Sequence, residues 1–256
     1  MIEKSVERSQ NEAMTPNSPL SEDEFLRNYD ASEFASPLVT VDTVLFTYHE
    51  ATLKALIVRR SAHPELGKWA LPGGFVDLDR DRDLAQTAIR VVTEKTGVTP
   101  PYIEQLAAYG NNNRDKRGWS ITVSYAALIA HQDCAALVDS VDDVRWVATD
   151  ALEKRPLAFD HKRIFKDARE RLRQKALYSI VPGYALPEIF TLPELQALHE
   201  ALIGKPLPKK SFRRRIEQAE LIIDTGEKRS DRGRPAALYR MSDAAREFTF
   251  LRNLEG

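Results

Sequence analysis

From Leu38 onward the chain alternates between short apolar runs rich in β-branched residues and polar breaks. "LVTVDTVLFTYH" (38–49) and "TLKALIVRRS" (52–61) have strand length and are parted by a short polar turn, which predicts two strands. "YIEQLAAYGNN" and "WSITVSYAALIAH" repeat the pattern on either side of the polar loop "NNNRDKRG", and "DDVRWVATD" reads as one more strand. In "FDHKRIFKDARERLRQKALYSIV" the spacing changes: Ile164, Phe165, Ala168 and Leu172 fall on one side, opposite a face rich in Arg and Lys, as in an amphipathic helix. Upstream, "SEDEFLRNYD" predicts a short helix with Ser21 at its N-cap and Glu24 three residues on, a capping box. Strands mixed with a few helices predict an α+β or α/β layered domain over residues 21–181, after a polar tail of about 20 residues expected to be disordered.

Pro182-Gly183 and Pro187 then punctuate the chain and predict a hinge. "TLPELQALHEALIG" carries the marks of a capped helix: Thr191 at the N-cap, Pro193 and Glu194 in the first turn, Gly204 as the stop. A second helix, "KKSFRRRIEQAELI", follows, with Phe212, Ile216 and Ala219 spaced to face a small core. Two short apolar runs around a long Gly- and Arg-rich tip, "LIIDTGEKRSDRGRPAALYRMS", form a hairpin pattern. Helix, turn, helix, hairpin is the order of a winged helix-turn-helix, expected over residues 182–256.

Composition adds limits. The 43% hydrophobic and 29% charged content is ordinary for a globular chain, and no run approaches the roughly 18 apolar residues of a membrane span. No basic start followed by an apolar core marks a secretory signal, and one cysteine, Cys134, cannot form an intramolecular disulfide, so a cytoplasmic location is expected. The net charge of −1 conceals an uneven distribution. Residues 1–30 carry seven acidic and three basic side chains, whereas Lys205 to Arg240 carries eleven basic and five acidic ones, a local excess of +6.

That excess bears on partners. Once Phe212, Ile216 and Ala219 face inward, Lys209, Lys210, Arg213, Arg214 and Gln218 remain for the outer side of the second helix, and Ser211 joins the candidate DNA contacts. Arg reads guanine edges and Lys meets phosphates when such a helix enters a major groove. The hairpin adds Lys228, Arg229, Arg232 and Arg234; Arg232-Gly233-Arg234-Pro235 is a narrow cationic element able to enter a minor groove. Double-stranded DNA is therefore the expected partner of this end of the chain.

The stretch "LPGGFVDLDRDRDLAQTAIRVVTEKTGV" (71–98) resembles the Nudix box, G-x5-E-x7-R-E-U-x-E-E-x-G-U with U aliphatic. The resemblance implies an α/β/α sandwich with a mixed sheet, and in its hydrolases a cluster of carboxylates that holds Mg2+ on a nucleoside diphosphate. Arg90, Glu94, Gly97 and Val98 match the pattern, but its two glutamates at i and i+4 are Val91 and Lys95. A branched hydrocarbon and an ammonium cannot ligate Mg2+, so no metal and no catalytic residue are expected. Gly74 and Arg90 also stand two residues farther apart than in the consensus, and the loop holds Asp77, Asp79, Asp81 and Asp83 instead of Glu. These four are read as solvated charges paired with neighbouring arginines, or as a remnant metal site.

Candidate ligand contacts follow from chemistry. Gly73 and Gly74 allow close backbone approach, and Lys95 offers a cation where a metal ligand would stand. Arg59, Arg60, Arg114 and Arg117 could meet phosphates; Trp69, Tyr109 and Trp119 could stack on a base or simply pack. Phe75 and Glu94 complete the set. Asp160, opening a helix, is either its cap or part of an anion site.

A degenerate Nudix domain joined to a winged helix is similar to the Nudix-related transcriptional regulators of NAD metabolism, the NrtR family. "TVDTVLFTYH", "LPGGFVD", "EKTGV", "GNNNRD", "LAFDH", "SFRRR" and "RGRPAALY" carry the likeness by their order. It implies a homodimeric repressor on a palindromic operator near NAD-synthesis or salvage genes, with ADP-ribose or a related nucleotide as effector and no required cofactor. The alternatives are an active ADP-ribose pyrophosphatase or a regulator of sugar-utilisation genes.

Overall fold

The computed structural model describes residues 21–230, 235–251 and 253–254. The expected disordered tail, residues 1–20, lies outside them, as do Arg232 and Arg234. The chain divides into two units, Met1–Ser36 and Pro37–Gly256. In the first, α1 (Glu22–Asn28) has the capping box that the sequence predicts, with the Ser21 hydroxyl accepting from the Glu24 N–H and the Glu24 carboxylate accepting in return.

The second unit opens on β1 (Leu38–His49) and β2 (Thr52–Arg60), an antiparallel pair with Phe46 opposite Ala55. Two short strands follow, β3 (Trp69–Ala70) against β2 and β4 (Gly73–Phe75) against β1. The box helix is α2 (Leu84–Thr96), started by the Asp83 carboxylate accepting from the Gln86 N–H at 2.8 Å and ended by Gly97 at φ 73°. β5 (Tyr102–Asn111) and β6 (Ser120–Leu128) pair antiparallel; β6 lies parallel to β1, and β7 (Val141–Ala148) pairs with β2. The result is a mixed sheet of seven strands. A short helix, α3 (Thr149–Lys154), leads into α4 (His161–Tyr178).

β1 is buried without interruption from Val41 to Thr47 because both faces of the sheet are covered, so its apolar residues form a run rather than an alternation. Val44 and Phe46 face a core shared with α4, while Leu45 belongs to the opposite core with Val92 of α2. The predicted stripe of α4 is the buried one. Ile164, Phe165 and Leu172 are each stabilised by roughly 1.5–3 kcal/mol on leaving water.

Beyond α4, β8 (Phe190–Thr191) enters α5 (Leu192–Ile203), which has a Thr191–Glu194 capping box, Pro in its first turn and Gly204 at φ 81° as its stop. α6 (Lys209–Gln218) ends four residues before the expected boundary at Ile222, because Glu220 turns left-handed at φ 53° and Leu221 drops into the core. β9 (Ile222–Arg229) and β10 (Ala236–Met241) complete a three-stranded sheet in the order β8-β10-β9, the wing beside the helix pair.

The expected hinge at Pro182–Pro187 is not one. Val181–Ala185 is a buried 3-10 turn, and a Cβ on Gly183 would stand 3.0 Å from Leu195 and 3.1 Å from Met241. One apolar core runs from Phe46 of the sheet through Leu172 and Ile180 to Leu195 and Phe212 of the winged helix. Prolines in a packed segment fix the path of the chain instead of freeing it. Among the described residues no helix is long and apolar enough to cross a membrane.

Candidate functional site

A cavity of about 350 Å³ opens between β1, β4, the C-terminal half of α2 and the loop after β5, with the start of α4 at its floor. Arg60, Gly73, Gly74, Phe75, Glu94, Lys95, Arg114 and Arg117 line it, so eight of the ten ligand candidates come together. Arg59 and Trp69 do not. They face each other across β2 and β3; Arg59 donates to the Gly67 carbonyl at 3.3 Å, and Trp69 is covered by Arg145 and Arg155. Tyr109 donates to Asp167 at 2.8 Å and Trp119 lies over Gly110, so both have packing roles outside this lining.

The two glycines make room for the protein itself. A Cβ on Gly73 would sit 1.9 Å from Asp42 Oδ1 and 2.8 Å from the Val41 carbonyl, since β4 pairs Gly73 directly with Asp42. A Cβ on Gly74 would stand 3.1 Å from Val91, whose side chain, 4% exposed, fills the position of the first box glutamate. Close backbone approach is the reason for both, but the approaching group is a carboxylate in one case and a valine in the other.

At the second altered position, the Lys95 ammonium donates to the Gly73 carbonyl. Burial lowers its pKa, and Asp42 works in the opposite sense. Glu94 between them is fully engaged, one oxygen 2.5 Å from Arg80 and the other 3.1 Å from Arg90. Burial would raise its pKa, but those two guanidiniums lower it.

Asp81 departs from the expectation of a solvated loop charge. Its side chain is 1% exposed and takes a bidentate pair from Arg90, both distances 2.7 Å, together with the Thr87 hydroxyl and the Asp77 N–H. These donors hold its carboxyl far below the usual range. Asp83 caps α2 and Asp77 accepts from the Asp79 N–H, so the loop carboxylates shape the turn.

The floor contains residues that sequence reasoning missed. Asp42, on the central strand, lies 3.3 Å from Arg114 and 3.4 Å from His161. His161 Nδ1 accepts from the Leu71 N–H at 2.9 Å, so the ring's proton sits on Nε2 and points at Asp42. Burial would raise the Asp42 pKa, but the His161 Nε2 hydrogen bond and the Arg114 guanidinium hold it below the usual carboxylate range. Asp160 precedes α4 yet makes no capping bond. It holds Arg114 instead, Oδ1 to Nη2 at 3.0 Å and Oδ2 to Nε at 3.2 Å. Only "TVDTV", an acid inside an apolar run, and "LAFDH" could have signalled this network, and neither has a period.

The mouth carries two arginine–phenyl stacks, Arg60 over Phe159 at 5.0 Å and Arg117 over Phe75 at 5.1 Å. Arg117 is bound by buried Asp115 at 2.7 Å. Burial lowers the Arg60 pKa and neighbouring Arg117 adds to the effect. The lining holds five cations (Arg60, Arg90, Lys95, Arg114, Arg117) and three carboxylates (Asp42, Glu94, Asp115). Asp81 and Asp160 stand behind Arg90 and Arg114 and pair with them. Arg60 and Lys95 differ from the other three: their hydrogen bonds go to backbone carbonyls, Arg60 to Pro64 at 2.8 Å and Ala62 at 3.4 Å. A larger cavity of about 500 Å³ bordered by α3, α4 and α5 is unlike this one, because its arginines are paired with carboxylates of the same lining: Arg169 with Asp150 and Glu153, Arg173 with Glu170.

On the winged helix, Phe212 and Ile216 of α6 are buried and Lys209, Lys210 and Arg214 are exposed. Ser211 and Arg213 are half-buried, and the Arg213 Nε is a buried donor without a hydrogen-bond partner. Lys228 is exposed on β9. Arg229 is turned inward, 2.7 Å from Glu194 and 3.4 Å from the Ile189 carbonyl, and ties the wing to the capped start of α5.

The chain matches the NUDIX domain family over residues 37–168 and the NrtR DNA-binding winged helix domain family over residues 182–241. It is 41% identical to a protein of Acinetobacter baylyi described as "ADPR responsive transcriptional repressor NtrR", over 92% of this chain and 94% of that one. The structure of Shewanella oneidensis NrtR complexed with a 27mer DNA is similar at TM-score 0.80 and 59% identity, covering 85% of this chain and 99% of that one. The NUDIX domain of the same Shewanella protein, complexed with ADP ribose, matches at TM-score 0.58 and 54% identity, covering 60% of this chain and 99% of that one.

Proposed function

The chain belongs to the NrtR family of Nudix-related regulators, and on that footing we propose that it is a transcriptional repressor whose winged helix binds operator DNA and whose Nudix cavity binds ADP-ribose. The observation that carries the effector half is the pair Arg60 and Lys95, two cations of the cavity lining with carbonyl rather than carboxylate partners. A pyrophosphate that links two ribosyl groups brings two negative charges, one for each. The two arginine–phenyl stacks at the mouth offer flat surfaces for a purine. Gly73, Gly74, Phe75, Glu94, Arg114 and Arg117 complete the proposed contact set.

The same side chains argue for binding without cleavage. Mg2+ needs oxygen donors, and the box helix presents a valine, a carboxylate held by two arginines and an ammonium. That set does not fit the metal, so no hydrolytic step is assigned to it.

For the DNA half, Lys209, Lys210 and Arg214 stand on the outer side of α6, where a recognition helix meets a major groove. Ser211, Arg213, Lys228, Arg229, Arg232 and Arg234 complete the interface assigned to DNA; Arg229 serves it through Glu194, as a brace for the wing. Two such modules in a homodimer would read a palindrome, and we place the regulated genes in NAD synthesis or salvage and the protein in the cytoplasm. The test uses a duplex that the protein selects from random-sequence DNA, followed by fluorescence anisotropy. ADP-ribose should release the duplex, whereas AMP and ribose 5-phosphate, which lack the pyrophosphate, should not. Release by all three alike would remove the pyrophosphate from the reading.

A further inference from the structure

Resting on the repressor reading, we propose that Asp160 is the positioning residue that carries effector occupancy from the cavity to the DNA module, by exchanging an ion pair with Arg114 for the N-cap of α4. Asp is among the strongest N-cap residues, because its carboxylate can accept from the second or third amide of the helix. Here it stands at that position and makes no capping bond. Both its oxygens are taken by Arg114, whose side chain is 4% exposed and whose guanidinium also lines the cavity wall. The α4 N-terminus is therefore left without a side-chain acceptor while Arg114 is held.

An anion entering the cavity changes that balance. Phosphate oxygens compete for the same planar guanidinium donors as a carboxylate does. Both protons of Arg114 Nη2 are directed at carboxylates, Asp42 at 3.3 Å and Asp160 at 3.0 Å, while Nη1 has only Ser120 Oγ at 3.5 Å, so a phosphate that takes a bidentate grip on the Nη1–Nη2 edge displaces one of the two carboxylates. Asp42 is fixed by β1, by Gly73 and by His161. Asp160 lies at the end of a loop behind Phe159, a non-glycine residue at φ 53°, and has another donor within its own next turn, the Lys162 amide. It is the acceptor with an alternative.

The far end of α4 shows where the exchange is read. Eighteen residues make a rod of about 27 Å. At its end the Ser179 carbonyl lies 3.1 Å from His199 Nε2 of α5, and the Tyr178 and Leu177 carbonyls accept from Phe250 and Leu254 of the C-terminal segment. A reset of the first turn is thus passed to the elements that hold α6, through a helix already packed into the common core.

Two measurements test this. The Arg163 amide already donates to the Asp160 carbonyl at 2.9 Å, so in wild-type protein ADP-ribose should slow hydrogen exchange of the Lys162 amide, the second of α4, as the cap forms. Exchange there that is unchanged at saturating ADP-ribose overturns the proposal. Asp160→Asn can still cap but cannot hold Arg114 by charge, so it should bind ADP-ribose at least about 5-fold more tightly and the duplex more weakly. Its coupling between the two should fall from the roughly 5- to 150-fold expected of an allosteric pair to under about 2-fold. Asp160→Ala cannot cap, and should bind ADP-ribose without releasing the duplex. Folded Asp160 variants that keep wild-type coupling overturn the proposal while leaving the repressor reading intact; a wild-type protein that ignores ADP-ribose removes both.

Discussion

At the scale of single residues, Gly73 shows how a site motif can serve the fold. Its missing side chain lets the Asp42 carboxylate lie against β4, and that carboxylate orients both Arg114 and His161. Gly73→Ala should therefore cost roughly 1–3 kcal/mol, read as a lower urea midpoint at unchanged slope, because a methyl group must displace a buried carboxylate and a backbone carbonyl. Val91 and Lys95 lead to a second expectation. With Mg2+ and ADP-ribose at millimolar concentrations the protein should form no measurable AMP and ribose 5-phosphate, and Val91→Glu with Lys95→Glu should restore at most a trace, since Arg80 and Arg90 still occupy Glu94. Robust turnover by the wild type would favour a hydrolase. The sequence displayed Val91 and Lys95 openly, because a fixed spacing around Arg90 and Gly97 indexes them. It concealed Asp42, and it showed Asp81 and Asp160 without their partners; the partners of the three are 72, 9 and 46 residues away and are chosen by the folded geometry.

At the scale of elements, legibility followed length and burial. β1, β2, β5, β6 and α4 announce themselves because each has enough residues to display its period or apolar run. β3, β4 and β8, of two or three residues, have no period to show and exist because a neighbouring strand offers donors. The linker was misread for a related reason: Pro and Gly signal a turn, but whether the turn is free or packed depends on Leu195 and Met241. α6 carries the element-scale prediction. Arg214→Ala should weaken the selected duplex by about 1–3 kcal/mol and relax one position of its sequence, if Arg214 reads a base. Lys210→Ala should weaken all sequences alike and lower the salt slope by about one unit. Equal and sequence-independent losses for both would leave α6 a phosphate-binding helix only.

At the scale of the whole molecule, the cavity and the winged helix share one core, so the part of the chain that links them cannot bend to separate them. An effector must then act by resetting a packed element and tilting the winged helix as a body. In the proposed dimer, on two half-sites one DNA turn apart, small tilts matter, since both recognition helices must enter the groove together. The coupling is thermodynamic and therefore reciprocal: ADP-ribose can weaken DNA binding only as much as DNA weakens ADP-ribose binding. The most direct test is to measure both affinities, each with and without the other ligand, on one preparation at one salt concentration. The account predicts that ADP-ribose lowers duplex affinity by roughly 5- to 150-fold and that the duplex lowers ADP-ribose affinity by the same factor. Tight ADP-ribose binding that leaves duplex affinity unchanged would contradict it.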